Sequence, residues 1–306
     1  MKITMLGSLG TINSLVIPQL IADKHDVTVI TSNEDRLPAI AALGAQGLVG
    51  DMLDEKFLST AFFGADLVYL MIAGGPHGDN FLEHTTEQGR IFREALADSG
   101  VKQVVDLSSV GADAGSEAGA LYAYNLIESE LRQLKDVSIA FVRPVGFYQN
   151  LYSHLPSIIE RQALFSNIPA DVKQNWVAPQ DIAAEIYHLM TELPAGKTVH
   201  YVVSDSFSGA EFAEALKTEL HLPRLHYLVI SDQQVKEGLL KNGLSEEFSE
   251  ALIQMNDYQR QPEKLYADLK AHPDEVTEGQ VKLADFVKEF AEEYRSATRP
   301  AAYSHS

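Results

Sequence analysis

The 306-residue chain contains no cysteine. Disulfides, thiolate metal sites and cysteine nucleophiles are therefore excluded. Basic residues are scarce: 24 Lys and Arg stand against 43 Asp and Glu, a formal charge of −19. Nucleic acid and anionic membrane surfaces both need a basic footprint, so neither is expected as a partner. No apolar run reaches the ~20 residues of a membrane-spanning helix. A short apolar stretch follows Lys2, but Gly7 and Gly10 punctuate it and no small-residue cleavage pattern follows, so it reads as a first strand rather than a leader. Internal repeats, low-complexity segments and the Gly-x-Ser-x-Gly elbow of serine hydrolases are missing too. His221 and His226 sit five apart across a proline, and no other histidines have ligand spacing, so no metal is expected. A soluble cytoplasmic protein is the expectation.

The chain does have a regular alternation over its first 205 residues. Runs rich in Val and Ile at 2–6, 26–30, 47–50, 66–72, 102–108, 138–144 and 198–203 read as strands. Helical patterns separate them, among them 79–100 and 124–134. Strands apolar on both faces and spaced by helices predict a doubly wound α/β fold with a parallel sheet. Pro18 falls inside the first helix, where it removes an N–H and is expected to kink it. Beyond 205 the pattern changes. One more strand is expected at 224–230, and helices at 232–242, 245–257, 262–271 and 280–294. The expected organisation is a nucleotide domain of residues 1–150 plus 178–205. A smaller, mostly helical lobe of residues 151–177 plus 206–298 would lie over the C-terminal ends of the strands, and 299–306 would form a frayed tail.

The first turn, "GSLGTIN" (7–13), follows a strand and opens a helix, the context of a dinucleotide-binding turn. Gly7 allows the tight turn, and Gly10 lets backbone N–H groups approach a pyrophosphate. The third glycine position holds Asn13, which is expected to hydrogen-bond a phosphate oxygen. At the end of the second strand stand Thr31, Ser32 and Asn33 rather than Asp or Glu, with Arg36 one turn on. A cation there suits a 2′-phosphate, which favours NADP over NAD.

Several further segments carry a resemblance. "GDMLDEKFLSTAFFGADLVYLMI" (50–72), "VKQVVDLSSVGAD" (101–113), "VRPVGFYQNL" (142–151) and "WVAPQDIAAEI" (176–186) occur in the order seen in the NmrA-like branch of the atypical short-chain dehydrogenase/reductases. The chain resembles that family across about residues 1–205, and more loosely through "VTEGQVKLADFVKEF" (276–290). The resemblance implies that Gly7, Leu9, Gly10, Thr11 and Ile12 line a pyrophosphate and that Ser32 and Arg36 hold the adenosine ribose. It further implies that Asp51 and Met52 lie by the adenine and that Met71, Ile72 and Ala73 face the nicotinamide ribose. Ser108 and the segment Pro144, Gly146 and Phe147 would flank the nicotinamide.

Catalytic members of the wider superfamily place Tyr and Lys four residues apart on one helix, where they move the proton that accompanies hydride transfer. Here those positions are Leu121 and Asn125. Tyr122 and Tyr124 are followed four residues later by Leu126 and Glu128, so neither forms the pair. Asn125 is left as a neutral hydrogen-bonding partner for the nicotinamide ribose. Two function classes follow from the resemblance. The first, and the preferred one, is a redox sensor that binds NAD(P) and reports to a regulatory protein partner. The second is an NAD(P)H-dependent oxidoreductase for quinone-like or azo-like aromatic acceptors. In the second, His77, Tyr148, Asn150 and Tyr152 would line the acceptor pocket, with His77 and Tyr148 as candidate proton donors.

Overall fold

The computed structural model describes residues 1–72 and 80–299. Ala73, His77 and residues 300–306 of the tail lie outside the described residues. Thirteen strands occur in chain order: β1 (Lys2–Met5), β2 (Asp26–Thr31), β3 (Gln46–Val49), β4 (Leu67–Met71), β5 (Gln103–Leu107), β6 (Ser138–Pro144), β7 (Gly146–Phe147), β8 (Ala163–Ser166), β9 (Lys173–Val177), β10 (Lys197–Val203), β11 (Asp205–Ser208), β12 (His226–Val229) and β13 (Val276–Glu278). Eight of them form one sheet in the order β13-β10-β6-β5-β4-β1-β2-β3, with every neighbouring pair parallel. The expected doubly wound α/β fold is what forms.

The central strands are buried on both faces, which is why they are almost wholly apolar. One face packs Ile3, Met5, Val29, Val105 and Val142 against the helices Asn13–Ala22 and Pro179–Thr191. The other packs Leu70, Val104 and Phe141 against Phe81–Ser99 and Tyr122–Leu131. The first helix runs on through Pro18 rather than ending there. The chain order reverses between β1 and β4, so a crevice opens beyond their C-terminal ends.

The lobe has more strand than expected. β7, β9 and β11 form a three-stranded sheet, and β8 pairs with β12. These strands are two to five residues long, too short for periodicity to separate them from loops. A third core lies here, with Phe207, Phe212, Phe286 and Phe290 at its centre. Its helix Leu283–Thr298 stacks Phe286 on Tyr148 at 4.4 Å. The expected helix 262–271 breaks at Tyr266 into Pro262–Leu265 and Ala267–Ala271. Val276–Glu278, expected in the lobe, instead extends the main sheet as its outermost strand beside β10.

Candidate functional site

The turn after β1 is built around Asn13. Gly7 lies at φ +93°, a region open to glycine, and Ser8 follows at φ +51°. A Cβ on Gly7 would fall 2.4 Å from the Met71 sulfur, so the end of β4 closes directly on the turn. Asn13 is only 3% exposed. Its Nδ2 donates to the Leu6 carbonyl at 2.7 Å and to the Ser8 carbonyl at 2.9 Å. The amide expected to reach a phosphate is thus occupied in holding the turn. Ser8 also donates through Oγ to Thr31 Oγ1 at 3.1 Å, which fixes the turn to the end of β2.

This leaves a cradle for an anion. The N–H groups of Leu9, Thr11, Ile12 and Asn13 have no acceptor among the described residues. They belong to the turn and the start of the helix Asn13–Ala22, where the helix dipole favours negative charge. Gly10 and Thr11 are exposed, Leu9 is half-buried, and Ile12 turns its side chain into the core. Ser32 and Arg36 are exposed beside it, and Arg36 has no ion pair among the described residues. Asp51 is exposed but commits Oδ1 to the Leu53 N–H, and the Met52 sulfur accepts from Gln88. The donors, the glycine turn and the free cation fit the diphosphate and the phosphorylated ribose of a dinucleotide.

Further along the crevice, the sheet brings the ends of β4, β5 and β6 together beneath the lobe. A cavity of about 940 Å³ opens there, between Ile72, Ser109, Val145, Gly146 and Phe147 on the sheet side and Trp176, Phe207, Phe212, Phe248 and Tyr266 on the lobe side. Asn150 lines the cavity. Tyr148 and Tyr152 do not. Tyr148 is buried, stacks on Phe286 and donates its hydroxyl to the Val281 carbonyl at 3.1 Å, and burial raises its pKa. Tyr152 stacks on Phe290 at 5.0 Å. Both are core residues of the lobe, so the expectation that they face an acceptor is corrected, and Tyr148 is no proton donor.

Ser108 is likewise turned away from the crevice. It is buried, and Oγ donates to Glu128 Oε1 at 2.7 Å. Ser108 lies on the side of the sheet that Val104 faces, under the helix Tyr122–Leu131. Ser109 lines the cavity. Glu128 also receives Arg143 through two bonds of 2.8 Å, while Arg143 Nη1 reaches Tyr201 Oη at 2.9 Å and Asp268 Oδ2 at 3.0 Å. The Arg143 of the quoted Arg-Pro segment is therefore a clamp between the sheet and the lobe. Burial, and secondarily the Glu128 charge, holds the neighbouring Asp106 carboxyl well above the usual carboxylate range.

Asn125, at the expected lysine position, donates Nδ2 to the Ala112 carbonyl at 2.9 Å. It braces the loop after β5 rather than reaching into the cavity. Its neighbour Tyr124 lines the cavity instead, and burial, then Asp106, raises its phenol pKa. His154 is a second cavity residue that spacing did not reveal, because it sits alone in sequence. Burial lowers its pKa to about 4, so its imidazole is neutral at physiological pH. No group of three His, Asp or Glu capable of holding a metal occurs among the described residues. No helix among them is long and apolar enough to cross a membrane.

The model of the NmrA-like family matches residues 1–287. The chain belongs to the NmrA-like family. Among related proteins, it is 25% identical over 257 residues to an NAD(P)H azoreductase of Xenophilus azovorans, covering 83% of this chain and 85% of that one. The NADPH complex of an NADPH-dependent quinone oxidoreductase from Escherichia coli superposes with a TM-score of 0.78 at 20% identity, over 94% of this chain and 99% of that one. NmrA itself, a negative transcriptional regulator solved in complex with NADP, superposes with a TM-score of 0.70 at 15% identity, over 98% and 92%. The proteins this chain is similar to thus include reductases and a regulator on one Rossmann-like frame, and frame alone does not assign function.

Proposed function

We propose that this NmrA-like protein binds a nicotinamide dinucleotide, NADP(H) in preference to NAD(H), along the crevice from Arg36 to Phe147. We further propose that it reduces planar aromatic acceptors held in the adjoining cavity. The observation that carries this reading is the cavity itself. It is large enough for a multi-ring molecule, and its lining includes Gly146 and Phe147, which the resemblance puts beside the nicotinamide, and Ile72, which it puts by the nicotinamide ribose. The related azoreductase and quinone oxidoreductase point the same way.

When bound, the reduced nicotinamide supplies the hydride. The chain's residues hold the reactants: the turn N–H groups grip the diphosphate, Arg36 the 2′-phosphate, and Phe147, Trp176 and Phe207 offer ring faces to the acceptor. Trp176 stacks on Phe207 at 5.5 Å and 12°, which makes one flat wall. Leu121 and Asn125 give no acid–base pair, which suits acceptors whose reduced form is a resonance-stabilised phenolate that water can protonate later. A ketone would leave an alkoxide and need the missing acid.

The missing pair also favours a second reading, in which the bound cofactor is a signal and lobe contacts report it to a protein partner. Titration with NADPH and NADH, followed by cofactor oxidation against quinone and azo acceptors, separates the two. Turnover supports the reductase, and binding without turnover of any acceptor leaves the sensor. No binding of either cofactor at millimolar concentration removes both. Within the same titrations, Arg36→Ala should weaken NADPH roughly tenfold or more while NADH changes little. Equal effects would remove the basis for NADP preference.

A further inference from the structure

The cavity described above contains no formal charge among the described residues. Its lining includes no Asp, Glu, Lys or Arg. We infer that the cavity selects uncharged aromatic acceptors and rejects anionic ones, such as rings carrying a sulfonate or carboxylate. This rests on the acceptor reading proposed above and names its substrate class.

The polar part of the wall consists of neutral amides and hydroxyls, chiefly Gln149, Asn150, Gln174, Asn175, Ser109 and Ser208. Such groups donate and accept hydrogen bonds to quinone oxygens, azo nitrogens or phenols, and neutralise nothing. Three nearby cations are paired with carboxylates: Lys173 with Glu211, Arg260 with Asp232, and Arg143 with Glu128 and Asp268. Lys264 lies over the Tyr258 ring instead, outside the cavity lining. His154, the imidazole in the wall, acquires no charge until about pH 4. An anion entering the cavity would therefore lose hydration without gaining a counter-charge, whereas a neutral ring gains the aromatic walls at no such cost. The net charge of −19 acts in the same direction outside the cavity, by repelling anions on approach.

Trp176 is the only tryptophan in the chain and stands in the cavity wall, so its fluorescence reports occupancy without any need for turnover. The test titrates the full-length protein with 1,4-naphthoquinone and with 1,4-naphthoquinone-2-sulfonate, at low salt and at about 0.5 M salt, where surface fields are screened. The neutral quinone is expected to quench at a concentration at least roughly tenfold lower than the sulfonate, in both salts. Equal or tighter binding of the sulfonate, preference that vanishes in high salt, or no quenching by either compound would overturn the inference. A Gln174→Lys variant, which adds an ammonium to the wall, should shift the ratio of the two affinities at least roughly tenfold toward the sulfonate; an unchanged ratio would count against it. Turnover is scored separately with NADPH. Selective binding without oxidation of NADPH would end the reductase proposal while the selectivity stands.

Discussion

Replacing Asn13 by glycine would complete the three-glycine pattern of a dinucleotide turn, and the structure predicts that this apparent repair is damaging. The Leu6 and Ser8 carbonyls accept from Asn13 Nδ2 and from no other donor among the described residues. Leu6 is fully buried, so its carbonyl would be left without a partner in an apolar interior, at ~1–3 kcal/mol. Ser8 is half-buried and water can reach it, which limits that loss to ~0.5–1 kcal/mol. Glycine in the first turn of the helix adds up to ~1 kcal/mol. The expected total is ~1.5–5 kcal/mol, readable as a lower midpoint in urea unfolding with an unchanged slope. Dinucleotide affinity should fall with it, because the N–H cradle loses the side chain that shapes it. Asn13→Asp is the sharper control: it keeps the volume but sets acceptors against two carbonyl oxygens, and should be at least as destabilising. An Asn13→Gly protein as stable as the parent, or one that binds NADPH more tightly, would refute the assigned role.

Three other outcomes are expected. Glu128→Ala strips Arg143 of both of its short carboxylate bonds inside the protein and should cost ~3–5 kcal/mol in chemical unfolding, whereas Arg132→Ala, at the exposed end of the same cluster, should cost under ~1 kcal/mol. Gly119 lies at φ +59° with the Ala251 carbonyl 2.2 Å and the Met255 nitrogen 2.6 Å from where a Cβ would stand. Gly119→Ala must therefore push the helix Glu246–Gln259 off the segment Ser116–Leu121, seen as a lower thermal midpoint and altered Trp176 emission. His154 takes its proton at about pH 4 in the fold instead of 6.5, so its contribution is full above pH 6.5 and is lost as pH falls through about 4. His154→Gln should flatten the loss of stability across that window by up to ~3 kcal/mol, measured as urea midpoints at pH 7 and pH 4.

The main sheet was legible because its central strands are buried on both sides and leave an unmistakable Val- and Ile-rich rhythm. The short strands of the lobe were not, since a two-residue strand such as Gly146–Phe147 has no period to detect. The glycine turn could be placed from its context. The use of Asn13 could not, because a side chain that bonds two local carbonyls has the same letter as one that bonds a phosphate. Tyr148 and Asn150 stand two apart in one segment, yet one is packed in the lobe core and the other faces the cavity. Their segment is a 3₁₀ turn, Tyr148–His154, where neither strand alternation nor helical spacing assigns a face. Ser108 and Ser109 both follow the end of β5, where strand parity no longer applies, and only the structure separates them, with Ser108 on Glu128 and Ser109 on the cavity.

The late strand β13 has a consequence for how the molecule is assembled. It pairs with β10 at Tyr201↔Val276, and β11, β12 and five α-helices lie in the chain between these two strands. This part of the lobe is thus a loop of the sheet in the topological sense, fastened at both ends to adjacent strands. Folding must bring these distant segments together, so the sheet's edge is expected to close late, after the lobe has compacted. The same fastening limits motion, because the lobe cannot swing outward as one body on a single hinge without peeling an edge strand from the sheet.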